Sequence, residues 1–452
     1  MLQCRPDGDF MKILHSSDWH LGRLLYGRRR LAEQEAFLEW LLALMRDEAI
    51  EALLLAGDIF DTTTPGNQAL EAYYSFLKRA IDGGCRHIVV TAGNHDSPST
   101  LAAPRQVLRT LGVHVVVDAD DPAAAVLCLR DSAGRPELVV CAVPYLRDRD
   151  LRAAEAGETF TDKEQRLLEG LRARYAAIHG LAKLTIDAQP GLAAISMGHL
   201  FAAGGATVAD DGVRELYIGG LAQVGADLFP DWLAYTALGH LHIAQTVGGR
   251  PEVRYAGSPL AMGFNEAGQS KQVVIIEVDT LATVAGDHSD ATATTAASAR
   301  RPVRIQPVNI PVFQKLRRLS GSLAELEAAL TSLKADATQS DAAVWLELEC
   351  VERASPSAIK ERLYAALEGS PHQILIIKHA AAGESGGGLA VGPSLAAMSE
   401  TEVFERLLEA EGVPEANRAE LRLCYGQLLR RLYETESAEA AAKEAAAKEA
   451  GA

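Results

Sequence analysis

The sequence predicts an α/β protein, and three observations predict it. Apolar strands alternate with amphipathic helices, polar residues sit just past the strand ends, and 452 residues allow one large core plus one or two smaller domains. The first strand lies in MKILHSSDWH, opening at Met11 after ten residues without periodicity. LAEQEAFLEWLLALMRDEA follows with apolar residues at helical spacing, and ALLLAGD is a buried strand that stops at Gly57-Asp58. The unit then repeats, because QALEAYYSFLKRAID is amphipathic and HIVVTAGNHD again breaks from an apolar strand into polar residues. This order predicts right-handed crossovers and a largely parallel sheet, with functional loops at the carboxyl ends of its strands.

Further strands are predicted at VVVD, AVLCLR, ELVVCAVPY, LAAISMGHL, LAYTALGHLH, VRYAGSP and QVVIIEVD, with a helix around Lys163 to Ala182. Residues 11–280 therefore form the main domain. Residues 281–302 are small and polar with no apolar face, and read as a linker or disordered insertion. A second pattern of VRIQPVNI, helix, VWLELECV, helix and ILIIKHA gives a small α/β domain over 303–380. Residues 381–398 are a flexible connector, and Ser399 and Glu402 then stand at capping-box spacing before a helix pair over 399–436. The ending 437–452 matches the repeat of designed helical spacers and is set aside from the functional argument.

The formal charge of -16 argues against a protein that holds nucleic acid by overall basicity. The six cysteines are scattered without a C-x-x-C pair and read as reduced thiols in a cytoplasmic protein. No apolar run is long enough for a membrane span.

Five short segments beyond strand ends carry the chemistry: Asp18-Trp19-His20, Gly57-Asp58-Ile59-Phe60-Asp61, Gly93-Asn94-His95-Asp96, Gly198-His199 and Gly239-His240-Leu241-His242. Together they offer carboxylate, amide oxygen and imidazole with no thiolate, a donor set for Mn²⁺, Fe²⁺ or Zn²⁺. Residues i and i+2 on an extended chain point the same way, so Asp18-x-His20 and His240-x-His242 can each grip one region. The remaining histidines read as packing or surface groups.

The order of these blocks resembles that of the calcineurin-like metallophosphoesterases. The resemblance implies a four-layer α/β sandwich binding two divalent cations. Asp18, His20 and His242 would hold one, Asn94, His199 and His240 the other, and Asp58 would bridge them. Two cations about 3.5–4 Å apart can clamp both ends of an in-line displacement at phosphorus. The resemblance sets His95 toward the leaving oxygen, and Asp61 is the natural group to orient its imidazole. Longer stretches, MKILHSSDWHLGRLLYG, GDIFDTTTP, VTAGNHDSPSTL, LYIGGLAQVGADLFPDWLAYTALGHLHIAQTV and RYAGSPLAMGFNE, are similar to the SbcD group of bacterial DNA nuclease subunits.

That finer resemblance implies a capping domain, a C-terminal helix pair docked on the coiled coil of an SbcC-type ABC/SMC-like ATPase in a heterotetramer, and a homodimer. The dimer helices would run from about Gln68 to Ile81 and after Asp96. The substrate would be DNA, at double-stranded ends and hairpins, and the metal most simply Mn²⁺. Arg23, Arg28, Arg29, Arg30, Lys315, Arg317 and Arg318 are candidate phosphate contacts. A small-substrate phosphodiesterase or nucleotidase, and a catalytically silent ATPase scaffold, are the alternative readings.

Overall fold

The strand β4 (Ala52–Ala56) is buried along its whole length, and its two faces go to different places. Leu53 and Leu55 pack with helices, whereas Ala52, Leu54 and Ala56 pack with a second sheet. Strands covered on both sides need continuous apolar runs, which is why ALLLA shows no alternation. The same division holds in the other sheet, where Val139 and Cys141 face a helix and Leu138 and Val140 face inward. The result is four layers, helix, sheet, sheet and helix.

The computed structural model describes residues 10–152, 160–189, 191–202, 224–279, 303–336, 343–352 and 355–379, with residues 404, 408, 418, 421, 422 and 425. In chain order, β1 (Phe10–Ser16), a small hairpin of β2 (Leu24–Leu25) and β3 (Arg28–Arg29), α1 (Leu31–Asp47) and β4 are followed by α2 (Asn67–Asp82) and β5 (His87–Thr91). Next come α3 (Pro98–Ala102), α4 (Arg105–Thr110), β6 (Val113–Val116), β7 (Val126–Arg130), β8 (Pro136–Ala142), α5 (Asp148–Leu151) and α6 (Phe160–Asp187). The domain closes with β9 (Ala193–His199), β10 (Tyr235–Gly239), β11 (Gln245–Val247), β12 (Arg250–Tyr255), β13 (Gln272–Asp279) and β14 (Val303–Asn309). A smaller lobe holds β15 (Lys315–Gly321), α7 (Leu323–Asp336), β16 (Val344–Cys350), α8 (Pro356–Leu367) and β17 (Gln373–His379).

The first sheet runs β14-β13-β1-β4-β5-β6 and the second β11-β12-β10-β9-β8-β7. Within them β1, β4, β5 and β6 are parallel, as are β8, β9, β10 and β12. All five motifs therefore leave their sheets at the carboxyl ends. The aromatic side chains Trp19, Phe37, Tyr73 and Phe76 fill the layer under α1 and α2, and Tyr175 and Ile178 of α6 fill the layer over the second sheet.

The boundary expected before Val303 lies later. VRIQPVN is β14, an edge strand of the first sheet paired antiparallel with β13, and the small lobe begins at β15. A long stretch of small residues separates β13 from β14 in sequence, so nothing local announces the pairing. Pro307 opposite Val274 fits an edge, where a missing N–H leaves no ladder bond unmade. The lobe is a three-stranded parallel sheet whose helices α7 and α8 cover Leu346, Leu348 and Cys350. The turn from Tyr26 to Arg28 and helix α8 with β17 line an open cleft of about 790 Å³.

The chain divides into a first unit, residues 1–383, and a second, residues 384–452. In the second, all six described residues are helical, and Phe404 stacks on Tyr425 with ring centroids 4.0 Å apart. The rest of the expected helix pair 399–436 lies outside the described residues, as do 281–302, 381–398 and the tail 437–452. Among the described residues no helix is long and apolar enough to cross a membrane.

His179 on α6 supplies a pH test of the second sheet. It is buried against Tyr175, Phe229 and Trp232, with Nε2 3.0 Å from Ser196 Oγ. Burial pushes its imidazole down to about 4 from the ordinary 6.5. Between these values the unfolded chain takes up a proton that the folded chain refuses. Stability is thus intact above about pH 6.5 and falls as the pH drops toward about 4, with about 2 kcal/mol lost by pH 5. Denaturant unfolding at pH 7 and pH 5 should show a smaller loss in His179→Phe than in the parent chain; equal losses would assign the effect elsewhere.

Candidate metal centre

Two loops of the first sheet are joined by main-chain bonds before any side chain is considered. The N–H groups of Asp18, His20 and Leu21 donate to the carbonyls of Gly57, Asp58 and Ile59 at 3.0, 3.0 and 2.9 Å. The third loop is tied in by Asp96, fully buried, whose carboxylate accepts from the N–H groups of Ile59, Phe60 and Gly93 at 3.2, 3.0 and 2.9 Å. His95 N–H donates to Asp58 Oδ1 at 2.8 Å. From the second sheet, His240 N–H reaches Asp18 Oδ1 at 2.9 Å and His199 Nδ1 donates to the carbonyl of Ala56 at 2.9 Å.

This framework holds the backbone in an unusual conformation. Asp18, His20, Asp58 and His240 have φ of 53°, 45°, 51° and 102°. Left-handed non-glycine residues cost of order 1–3 kcal/mol each and persist only where surrounding bonds over-determine them. Two glycines are required by close approach: a Cβ at Gly57 would lie 2.2 Å from His199 Nδ1, and one at Gly239 would lie 1.8 Å from the Ala56 carbonyl.

The side chains converge. Ligand atoms of Asp18, His20 and His242 lie within 4.8 Å of one another, as do those of Asp18, Asp58 and His199, and those of His20, Asp61 and His95. Asn94 Oδ1, which can only accept, lies 2.9 Å from His199 Nε2 and 3.0 Å from His240 Nδ1. With Nδ1 of His199 donating to Ala56, its Nε2 brings a lone pair to that meeting once a cation displaces its proton, and Asp58 Oδ2 brings another at 3.3 Å. His20 is buried with neither ring nitrogen in a well-aligned hydrogen bond. Lone pairs that face one another at these distances fit a cation between them.

The electrostatics agree. Burial works against charge on both members of the Asp58–His199 pair. Even so, the facing histidines hold Asp58 well below the usual carboxylate range, and Asp58 pushes His199 up to about 9. Burial, aided by His199, pushes His240 down to about 3. The pocket attracts positive charge around Asp58 while keeping the neighbouring imidazole neutral. Oxygen and nitrogen donors without sulfur suit a divalent metal of intermediate hardness.

All seven expected ligands are thus brought together, but the expected orienting contact is different. The Asp61 carboxylate does not reach His95; its Oδ1 lies 3.2 Å from His20 Nδ1 and 2.9 Å from an Arg23 nitrogen. His95 Nδ1 instead lies 2.9 Å from the Asp61 main-chain carbonyl. Three residues of spacing after Asp58 turn the Asp61 side chain back toward the first loop.

The basic candidates separate. Arg30 is buried, bonded to Glu33 and the Ala261 carbonyl, so it supports the fold rather than meeting a phosphate. Arg23 is held by Asp61, Arg318 by Glu347, and Arg28 by Gln373. Arg29, Lys315 and Arg317 are exposed. Sequence patterning assigns no role to Asp96, Glu266 or Lys271.

The family of calcineurin-like phosphoesterases matches residues 11–142 by its sequence profile, and the profile described as a type 5 capsule protein repressor C-terminal domain matches residues 312–412. The SbcD component of the SbcCD nuclease of Escherichia coli (strain K12) is 34% identical over 423 residues, 93% of this chain and 98% of its own. This chain belongs to the SbcD family. The SbcD proteins of Bacillus subtilis, 37% identical over 268 residues, and Rhodobacter capsulatus, 39% over 285, each align with 59% of this chain and 66% of their own. SbcD membership makes the chain a hydrolase of phosphoester bonds, a class that works with divalent metals.

Proposed function

We propose that this chain is the nuclease subunit of an SbcCD-type complex, a metal-dependent enzyme that hydrolyses DNA phosphodiester bonds at double-stranded ends and hairpins. The observation that carries the reading is the meeting of Asn94, His199, His240 and Asp58 lone pairs, supplied by both sheets, at one buried point. Asp18, His20 and His242 would hold one cation and Asn94, His199 and His240 the other, with Asp58 available to both. Mn²⁺ is our choice among the metals that this oxygen and nitrogen set accepts, Fe²⁺ and Zn²⁺ being the others. Two such cations supply neutralisation of the phosphate oxygens and a more acidic water.

The chain's own residues do the rest. The Asp61 carbonyl keeps the proton on His95 Nδ1 and so orients the ring, which lies with its centroid 4.8 Å from that of His20. His95 gives a proton to the leaving oxygen or stabilises the negative charge that develops there. In His95→Ala we expect turnover to fall by about 10²-fold while both metals still bind. Full activity in that metal-replete variant would remove His95 from the reaction. Exposed Arg29, Lys315 and Arg317 contact DNA backbone, with Arg28 at the edge of the cleft.

In this reading the 399–436 helix pair docks on the coiled coil of an SbcC-type ATPase in a heterotetramer, α2 and the α3–α4 segment form a homodimer, and the complex works in the cytoplasm. The test is Mn²⁺-dependent degradation of end-labelled linear duplex DNA, beside a chromogenic small phosphodiester, with and without the ATPase partner. Cutting of DNA that the partner makes ATP-dependent supports the reading. Hydrolysis of the small ester alone, under every condition, would keep the metal site and overturn the nuclease.

A further inference from the structure

Glu266 is a fully buried carboxylate in a short turn before β13. Burying a charge costs several kcal/mol unless it is paired, so its contacts must be accounted for. Oε2 accepts from Lys271 Nζ and from the Met262 N–H at 2.9 Å. Lys271 is itself nearly buried and also donates to the His242 carbonyl at 3.1 Å and Ser258 Oγ at 3.0 Å. Oε1 is left over by that pair and faces His242 Nδ1 at 3.6 Å, an ion-pair approach slightly longer than a hydrogen bond.

We propose that Glu266 is a positioning residue for the metal centre: anchored through Lys271, its free carboxylate oxygen holds the proton on His242 Nδ1 and so presents Nε2 to a divalent cation. The inference rests on the reading of His242 as a ligand given above. If Glu266 served only to anchor its loop, the pair with Lys271 would use Oε2 and nothing would aim Oε1 at an imidazole. His199 has the same device with a different acceptor, the Ala56 carbonyl at 2.9 Å. A carboxylate in that position also makes the imidazole a more basic ligand, and an ion on the far nitrogen sharpens the N–H as a donor.

The experiment is calorimetric titration of Mn²⁺ into the metal-stripped full chain, with thermal unfolding of the metal-free protein alongside. The parent chain is expected to take two ions and His242→Ala one; two ions in His242→Ala would overturn the ligand reading. Glu266→Gln is expected to weaken one of the two sites by roughly 10–100-fold and leave the other unchanged, while the metal-free unfolding temperature falls because Lys271 loses its counter-charge. Parent-like affinity at both sites, or equal weakening of both, would overturn the positioning role while leaving His242 in place. Should Glu266→Gln not fold, Glu266→Asp, which withdraws the carboxylate from the ring but keeps a charge for Lys271, carries the same expectations at the two sites.

Discussion

His199→Ala is expected to remove essentially all Mn²⁺-dependent DNA cleavage, by roughly a thousandfold or more. The ring is buried at the seam between the sheets, with Nδ1 fixed on the Ala56 carbonyl and Nε2 within 3.3 Å of both Asn94 Oδ1 and Asp58 Oδ2. Taking it away leaves Asn94 and His240 to hold a cation with Asp58 alone. A metal contributes several kcal/mol to stabilising charge at phosphorus, and about 1.4 kcal/mol is a factor of ten. The measurement is the cleavage rate with the ATPase partner at saturating Mn²⁺. A rate within tenfold of the parent would remove His199 from the ligand set.

Asp96→Ala should be the most damaging single change to the scaffold of the site. It strands three buried N–H groups, those of Ile59, Phe60 and Gly93, each of which costs about 1–3 kcal/mol without a partner. A loss of about 4 kcal/mol corresponds to a fall of roughly 10 °C in Tm for a domain of this size. Differential scanning of the metal-free chain reads it directly. Asp96→Asn, which keeps one accepting oxygen, should fall between the two. A Tm unchanged in Asp96→Ala would mean that other groups hold the second and third loops together.

The sequence made the α/β class and the seven clustered donors legible for one physical reason: strands buried on both faces are continuous apolar runs, so the first polar residue after each run marks where a chain leaves its sheet. Asp18, Asp58, Asn94, His199 and His240 all stand at such points. The role of Asp96 was hidden because its partners are backbone groups of residues 59, 60 and 93, invisible to side-chain patterning. Glu266 and Asp61 were hidden for a related reason, since which nitrogen a carboxylate reaches depends on how a turn points it. Arg30 reads in sequence as a candidate phosphate contact, yet it is enclosed by Glu33 and the Ala261 carbonyl. The β14 strand carries an ordinary edge pattern, and only its partner β13, far off in sequence, says which sheet it joins.

The split origin of the donors has a mechanical consequence. Asp18, His20, Asp58 and Asn94 are zipped together on one slab, whereas His199, His240 and His242 ride on the other, and the inner apolar layer of Leu54, Val140, Ile195 and Ala237 is what sets their spacing. A slip between the slabs would widen or narrow the gap between the two sets of proposed ligands, as the jaws of a vice do. Leu54 or Val140 trimmed to alanine, with no atom changed at the metal centre, would be read out as a looser grip on manganese before it was read out as a lost fold.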